Sequence, residues 1–159
     1  MRLRFWNREK RQALNIINID GVKISNSKPP IYDNVCQAFG IRPKNVYYTY
    51  ADTIYNPDNL PVPPDIIAHE KEHIEQQGGD IEGAELWWGK YLRDPIFRVD
   101  QESRAYARQY QFICQTIKGR NERFNILMQL AKFLSGPLYN KAISQTEAFN
   151  LIKELSGVK

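Results

Sequence analysis

The stretch with the clearest chemical potential runs from Ile66 to Ile74 and contains both histidines of the 159-residue chain. His69 and His73 are four residues apart, so a helix would project both imidazoles from one face. Zinc accepts imidazole nitrogens at about 2.0–2.1 Å, and this spacing offers two of them one turn apart. Glu70 would lie beside them, close enough to reach a metal-associated water without being a ligand, which is the position of a general base. The spacing therefore predicts a metal site with a hydrolytic base, the alternative being two surface histidines that share a helix face.

A catalytic zinc site needs a third protein ligand. Because the chain has no third histidine, we expect a carboxylate. We favour Glu102, because it lies on a long predicted helix and because Ala105, one turn later, would let two helix backbones approach closely. The alternative for Glu102 is a surface salt bridge with Arg98 or Arg104. The other candidate ligands downstream of the motif are Glu82, Glu85, Asp94 and Asp100.

The composition is typical of one folded domain, with 42% apolar and 12% aromatic residues. Cys36 and Cys114 are far apart and lack a C-x-x-C pairing, so neither a disulfide framework nor a thiolate zinc site is indicated. No apolar run is long enough for a membrane span, and the N-terminus lacks an apolar signal core. These features predict a cytoplasmic protein without a membrane span.

The net charge of +4 is concentrated in residues 1–12, which hold five basic side chains and one acidic one. The remainder balances 17 basic with 17 acidic side chains. A basic arm with Phe5 and Trp6 interleaved could bind nucleic acid, an acidic protein or a membrane surface. Such arms are more often solubilising tails or packed edge segments. We therefore interpret residues 1–12 as a basic N-terminal arm and residues 13–159 as one domain.

Short strands are expected in the first part of this domain. Asp20-Gly21 separates two β-branched runs and predicts a hairpin. Residues 45–50 and 53–55 are typical of a second pair of strands. Between these pairs, residues 30–39 are typical of a short helix.

Most of the remaining chain has the pattern of helices. The metal-binding helix is predicted to begin at Pro64, after a proline-rich stretch, and to end before Gly78. Residues 45–118 would form the metal-site core and residues 119–159 the C-terminal helices. Adjacent Trp87 and Trp88 are expected to face different ways, one into the core and one towards a partner. Further helices are predicted at 81–92, 95–117, 121–134 and 144–155, the last with a capping box at Ser144 and Glu147.

The sequence His69-Glu70-x-x-His73, followed by a glutamate in a later helix, resembles the zincin metallopeptidases, specifically the gluzincin branch. The resemblance implies a minimal zincin-like domain, α+β and mostly helical, with a small N-terminal sheet, an active-site helix and a C-terminal bundle. The longer pattern is similar to small zincin-like proteins encoded in phage and prophage genomes, and it covers roughly residues 46–109. This pattern adds Gln76, Trp87-Trp88, Tyr91-Leu92, Phe97-Arg98 and Glu102-x-x-Ala105-Tyr106.

By this resemblance, His69, His73 and Glu102 bind Zn²⁺, Glu70 polarises the water, and a peptide or protein substrate is hydrolysed. The edge of the small sheet would hold the substrate as an added strand. Many gluzincins have an aspartate four residues after the ligand glutamate, where this chain has Tyr106, so the residues that orient the ligands must differ. An oxyanion donor beyond the metal is also needed. Tyr106 and Tyr139 are candidates, the alternative for each being ordinary packing.

Two other functions stay open at this point. The protein could be a zincin-like assembly module, such as a virion component, that retains zinc in a structural role and binds a partner protein. It could also be a nucleic-acid-associated protein that uses residues 1–12, with the metal site incidental.

Overall fold

The computed structural model describes residues 16–159, so the predicted basic arm at residues 1–12 lies outside the described part of the chain. Within residues 16–159 the fold is α+β and mostly helical, as predicted, with six α-helices and four strands. The elements are β1 (Ile16–Ile19), β2 (Val22–Ser25), α1 (Tyr32–Phe39), β3 (Tyr48–Tyr50), β4 (Thr53–Tyr55), α2 (Pro64–Gln76), α3 (Ile81–Arg93), α4 (Pro95–Thr116), α5 (Arg120–Leu134), a 3₁₀ turn (Pro137–Tyr139) and α6 (Gln145–Ser156).

The small sheet consists of two hairpins joined side by side, with the strand order β1-β2-β4-β3. In the first hairpin, Asp20 and Gly21 both have positive φ, as the tight turn requires. β2 and β4 pair in parallel, with Ile24 opposite Ile54. These two side chains are almost fully buried and pack with Ile67 of α2. The hairpins were predicted, but their parallel pairing was not, because it depends on contacts with α2.

The predicted helix boundaries are confirmed to within a few residues. α2 begins at Pro64, and Gly78 and Gly79 follow its end with positive φ. At the start of α6, the Ser144 side chain accepts from the Glu147 amide while the Glu147 carboxylate accepts from the Ser144 amide, so the predicted capping box is present. Within residues 16–159, no helix is both long enough and apolar enough to span a lipid bilayer.

Trp87 and Trp88 are both buried, 6% and 7% exposed, so the expectation that one would face a partner is wrong. Trp87 stacks on Tyr91 with ring centroids 4.6 Å apart, and its Nε1 donates to Gln101 Oε1 at 2.8 Å. Trp88 Nε1 donates to the carbonyl of Thr49 in β3 at 2.9 Å. Because both indole N–H groups find acceptors on elements that flank α3, both rings can be buried.

The connection from α2 to α3 is very tight at Gly83. A Cβ built on Gly83 would lie 1.8 Å from the carbonyl oxygen of Gln77, the residue that ends α2. The amide of Gly83 also donates the N-cap bond to Asp80, with 2.7 Å between Gly83 N and Asp80 Oδ1. Since any side chain at residue 83 would push α3 away from the end of α2, the position requires glycine.

We expect Gly83→Ala to lower the free energy of unfolding by about 2 kcal/mol or more, because a methyl group would overlap a fixed carbonyl. Gly89 of the same helix is the matched control, since its nearest neighbour would be Arg93 Nη2 at 3.5 Å. Gly89→Ala should be neutral or stabilising by up to about 1 kcal/mol, as expected inside a helix. Urea denaturation of the three proteins measures both effects, and equal stabilities for the two variants would contradict the close approach.

Candidate metal centre

α2 and α4 bring three metal-ligating side chains together, as predicted. The Nε2 atoms of His69 and His73 lie 3.3 Å apart on one face of α2. Oε2 of Glu102, on α4, lies 3.3 Å from His69 Nε2 and 3.5 Å from His73 Nε2. All three residues are buried, at 7%, 5% and 5% exposure, and their ligand atoms lie within 4.8 Å of one another. This buried His-His-Glu group could hold a metal ion.

The other candidate ligands do not belong to this group. Glu82 and Glu85 are exposed on α3. Asp94 is the N-cap of α4, where its side chain accepts from two backbone amides. Asp100 forms an exposed salt bridge with Arg104, at 3.1 Å. Glu102 is therefore the carboxylate that meets the two histidines, and the surface salt bridge considered for it is not formed.

The two imidazoles are oriented by glutamine side chains through their Nδ1 atoms. His69 Nδ1 lies 3.2 Å from Gln109 Oε1, and Gln109 Nε2 donates to Asp65 Oδ2 at 2.8 Å. His73 Nδ1 lies 2.9 Å from Gln76 Oε1, and Gln76 Nε2 donates to the carbonyl of Gln101. An amide oxygen can only accept, so each Nδ1 carries a proton, and the neutral form of each ring is the tautomer with its lone pair on Nε2. That tautomer is the one needed for metal ligation through Nε2.

The charges of the site are strongly coupled. Burial alone would raise the pKa of Glu102, but the adjacent His73 and His69 hold that pKa well below its usual range. Burial lowers the pKa of His73, but the charge of Glu102 and its hydrogen bond outweigh this and raise the pKa to about 9. The hydroxyl of Tyr91 donates to the second oxygen of Glu102. A metal ion that binds both Nε2 atoms would displace a proton, so its affinity should rise with pH.

Two buried carboxylates, Glu70 and Glu102, lie in this region with exposures of 6% and 5%. Within residues 16–159, neither forms a salt bridge with lysine or arginine. The nearby Arg98 instead donates to backbone carbonyls, including that of Tyr91 at 2.9 Å. Buried charges are normally paired or coordinate metals. Two imidazoles and a carboxylate are donors that zinc and other first-row ions accept, so the residues fit a divalent cation.

Glu70 lies in the same cavity as the three candidate ligands but is not one of them. It does not belong to the cluster of converging ligand atoms. The hydroxyl of Thr49 in β3 donates to Glu70 Oε2 at 2.7 Å. Thr49 thus fixes one oxygen of the carboxylate and leaves Oε1 as the oxygen that can accept a proton.

Tyr106 and Tyr139, the predicted oxyanion donors, both lie at the site. The ring of Tyr106 packs edge-on against His69, with centroids 4.6 Å apart. The two tyrosine hydroxyls are 3.4 Å apart. Burial, and next the nearby Glu102, raise the pKa of each phenol, so both stay protonated at neutral pH. Both can therefore donate hydrogen bonds, and a role in oxyanion binding stays a prediction.

A cavity of about 630 Å³ connects these groups. Its walls come from α1, residues 43–49, α2, α3, α4, the end of α5 and the 3₁₀ turn. His69, Glu70, His73, Glu102 and both tyrosines line it. The candidate base and the candidate metal ligands therefore face a common space that is large enough for a small ligand.

No family model matches the chain, and neither a curated protein nor a solved structure matches it. A function for this chain can therefore be inferred only from the chemistry and geometry of the site.

Sequence reasoning assigned no supporting role to several residues that contact the candidate ligands, although Gln76 and Tyr91 belong to the pattern of the resemblance. Gln109 follows Glu102 by seven residues, which places both on one face of α4, and Gln76 follows His73 by three. These helical spacings could have drawn attention to both glutamines. Tyr91 and Thr49 reach the site from other elements, so no helical spacing from the candidate ligands marks them.

We expect Glu102→Gln to weaken divalent-metal binding by more than about 100-fold, because loss of a ligand should exceed the 10–100-fold typical of an outer partner. Asp100→Asn is the matched control, since it removes a carboxylate from the exposed side of the same helix. Titration with Co²⁺ against a competing chelator, followed by visible absorption, measures the affinity. Unchanged Co²⁺ binding by Glu102→Gln would remove this residue from the site.

Gln109→Leu should weaken metal binding by about 10–100-fold, because His69 loses the acceptor that holds its ring and its tautomer. Arg108→Leu is the adjacent control, since Arg108 pairs with Glu72 and Glu75 on the outer side of α2. The same Co²⁺ titration applies. Equal losses for both variants would show a general effect on helix packing rather than a specific one on His69.

Proposed function

We propose that this protein is a zinc-dependent metallopeptidase of the gluzincin type. The observation that carries the proposal is the convergence of His69, His73 and Glu102 in the same cavity as Glu70, a carboxylate that is not a ligand. Zinc is favoured because two imidazoles and one carboxylate form a typical catalytic donor set with a further position for water. When bound, the ion would increase the acidity of a water molecule and polarise the scissile carbonyl.

In this proposal Glu70 is the general base. Its carboxylate is held at Oε2 by Thr49, so Oε1 accepts the proton of the attacking water and later returns it to the leaving amine. Tyr106 and Tyr139 donate to the developing oxyanion, because their buried hydroxyls keep their protons. Gln76 and Gln109 act on the reaction indirectly, by holding the imidazoles in the required tautomer.

Glu70→Gln should retain zinc but lower peptide cleavage by about 10²–10⁴-fold, the usual contribution of a general base. The matched control is Glu72→Gln, since Glu72 lies on the same helix but pairs with Arg108. Cleavage is measured by mass spectrometry on peptides from a denatured proteome, with zinc content determined for each variant. Wild-type rates for Glu70→Gln, with zinc bound, would show that another group is the base.

A zincin-like assembly protein is the second candidate function. It is favoured by the position of the ligands, because an ion held by His69, His73 and Glu102 would cross-link α2 to α4. In that case zinc would stabilise the fold, as structural zinc sites do. Zinc-bound wild-type protein that cleaves none of the peptides would support this function over the peptidase.

A further inference from the structure

β3 is the last strand of the sheet, and the C-terminal end of its outer edge is already hydrogen-bonded. Gln77 Nε2 donates to the carbonyl of Thr49 at 2.9 Å, and Gln77 Oε1 accepts from the amide of Ala51 at 2.9 Å. The indole of Trp88 donates to the same Thr49 carbonyl, also at 2.9 Å. One side-chain amide thus makes the two bonds that the N–H and C=O of one residue in a neighbouring strand would make.

This end of the β3 edge is also buried. Thr49, Ala51 and Gln77 are 2%, 7% and 1% exposed. Strand addition needs free backbone groups that the incoming chain can reach. The Thr49 carbonyl and the Ala51 amide do not meet this requirement, although Thr49 is the residue of β3 that contacts Glu70. The expected binding of an extended substrate along this edge therefore conflicts with the bonds at Thr49 and Ala51.

The cavity next to this edge has mainly apolar walls. Val35 and Phe39 contribute from α1, Val46 from the segment before β3, and Leu138 from the 3₁₀ turn. Phe133 also lines it, and its 58% exposure places it where the cavity meets solvent. Apart from His69, Glu70, His73 and Glu102, the charged residue in the lining is Lys132. Such walls favour an apolar group over a charged or extended polar one.

We infer that the substrate of the proposed peptidase is a short peptide whose aromatic or aliphatic side chain enters this cavity, and not a polypeptide bound as an added strand. For the type of reaction, the inference depends on the proposed function. The choice of substrate class depends on the apolar cavity and on the hydrogen-bonded end of the β3 edge. Affinity should then come from the apolar group, with little contribution from additional peptide units on either side.

Three hydroxamates test the inference on zinc-loaded protein by calorimetry: acetohydroxamate, 3-phenylpropanohydroxamate, and the latter extended by four alanines. Each carries the same metal-binding group. The phenyl compound should bind at least about tenfold more tightly than acetohydroxamate, since it buries a whole aromatic group. The alanine extension should change the affinity by less than about threefold, because no strand pairing follows.

A pair of phenylalanines on α5 provides the matched variants. Phe133 lines the cavity, whereas Phe124 is similarly exposed, at 53%, and packs against Phe149 of α6. Phe133→Ala should weaken binding of the phenyl compound by at least about fivefold, through lost apolar contact, without affecting acetohydroxamate. Phe124→Ala should leave both affinities unchanged.

Equal affinities for the phenyl compound and acetohydroxamate would overturn the inference. A tenfold gain in affinity from the alanine extension, or no binding of any hydroxamate, would also overturn it. These outcomes are separate from those of the cleavage assay. Selective binding by a protein that cleaves nothing would support the inferred ligand class and contradict the proposed reaction. Cleavage without selective binding would support the reaction and contradict the inferred ligand class.

Discussion

The burial of the Glu102 carboxylate between two imidazoles is the interaction on which the site depends. An isolated buried carboxylate is strongly unfavourable, so its position is stable only while partners surround it. Oε2 faces the Nε2 atoms of His69 and His73, and Oε1 accepts from the Tyr91 hydroxyl. These partners come from α2 and α3, so the charge of one side chain on α4 fixes three helices relative to one another. A bound cation would add to this constraint and would not create it.

The close contact of α2 and α4 has its own causes in the sequence. Ala105 is fully buried and removes side-chain bulk one turn after Glu102. Arg98, one turn before Glu102, is 3% exposed and donates to the carbonyls of Tyr91 and Leu92 at the end of α3 and to Leu138 in the 3₁₀ turn. Because a helix C-terminus carries partial negative charge, it suits a buried guanidinium. Arg98 therefore positions α4 against the elements that supply Tyr91 and Tyr139.

The sequence could predict those parts of the site that depend on spacing within one helix. His69, Glu70 and His73 take their relative positions from the helical repeat of α2, and Glu102 could be chosen because small Ala105 marks a close helix contact. Gln77 and Trp88 were not predicted to close the edge of β3, because their acceptors lie on another element. The parallel pairing of β2 with β4 was missed for the same reason. Such contacts depend on how the helices and strands pack against one another, and local sequence patterns do not contain that information.

Both imidazoles are oriented by neutral amides, and this would affect the effective positive charge of a bound ion. A carboxylate at Nδ1 would increase the basicity of the ring and reduce the positive character of the metal. Gln76 and Gln109 supply orientation without that charge, and Asp65 acts only through Gln109. With a divalent ion bound, Glu102 and Glu70 together would balance its charge. In the proposed reaction, the proton that Glu70 takes from water would leave a hydroxide of equal negative charge, so the net charge of the cavity would stay the same while negative charge moves from Glu70 to the substrate oxygen. Protonated Glu70 would then no longer repel the oxyanion, which would take its place in balancing the charge of the ion.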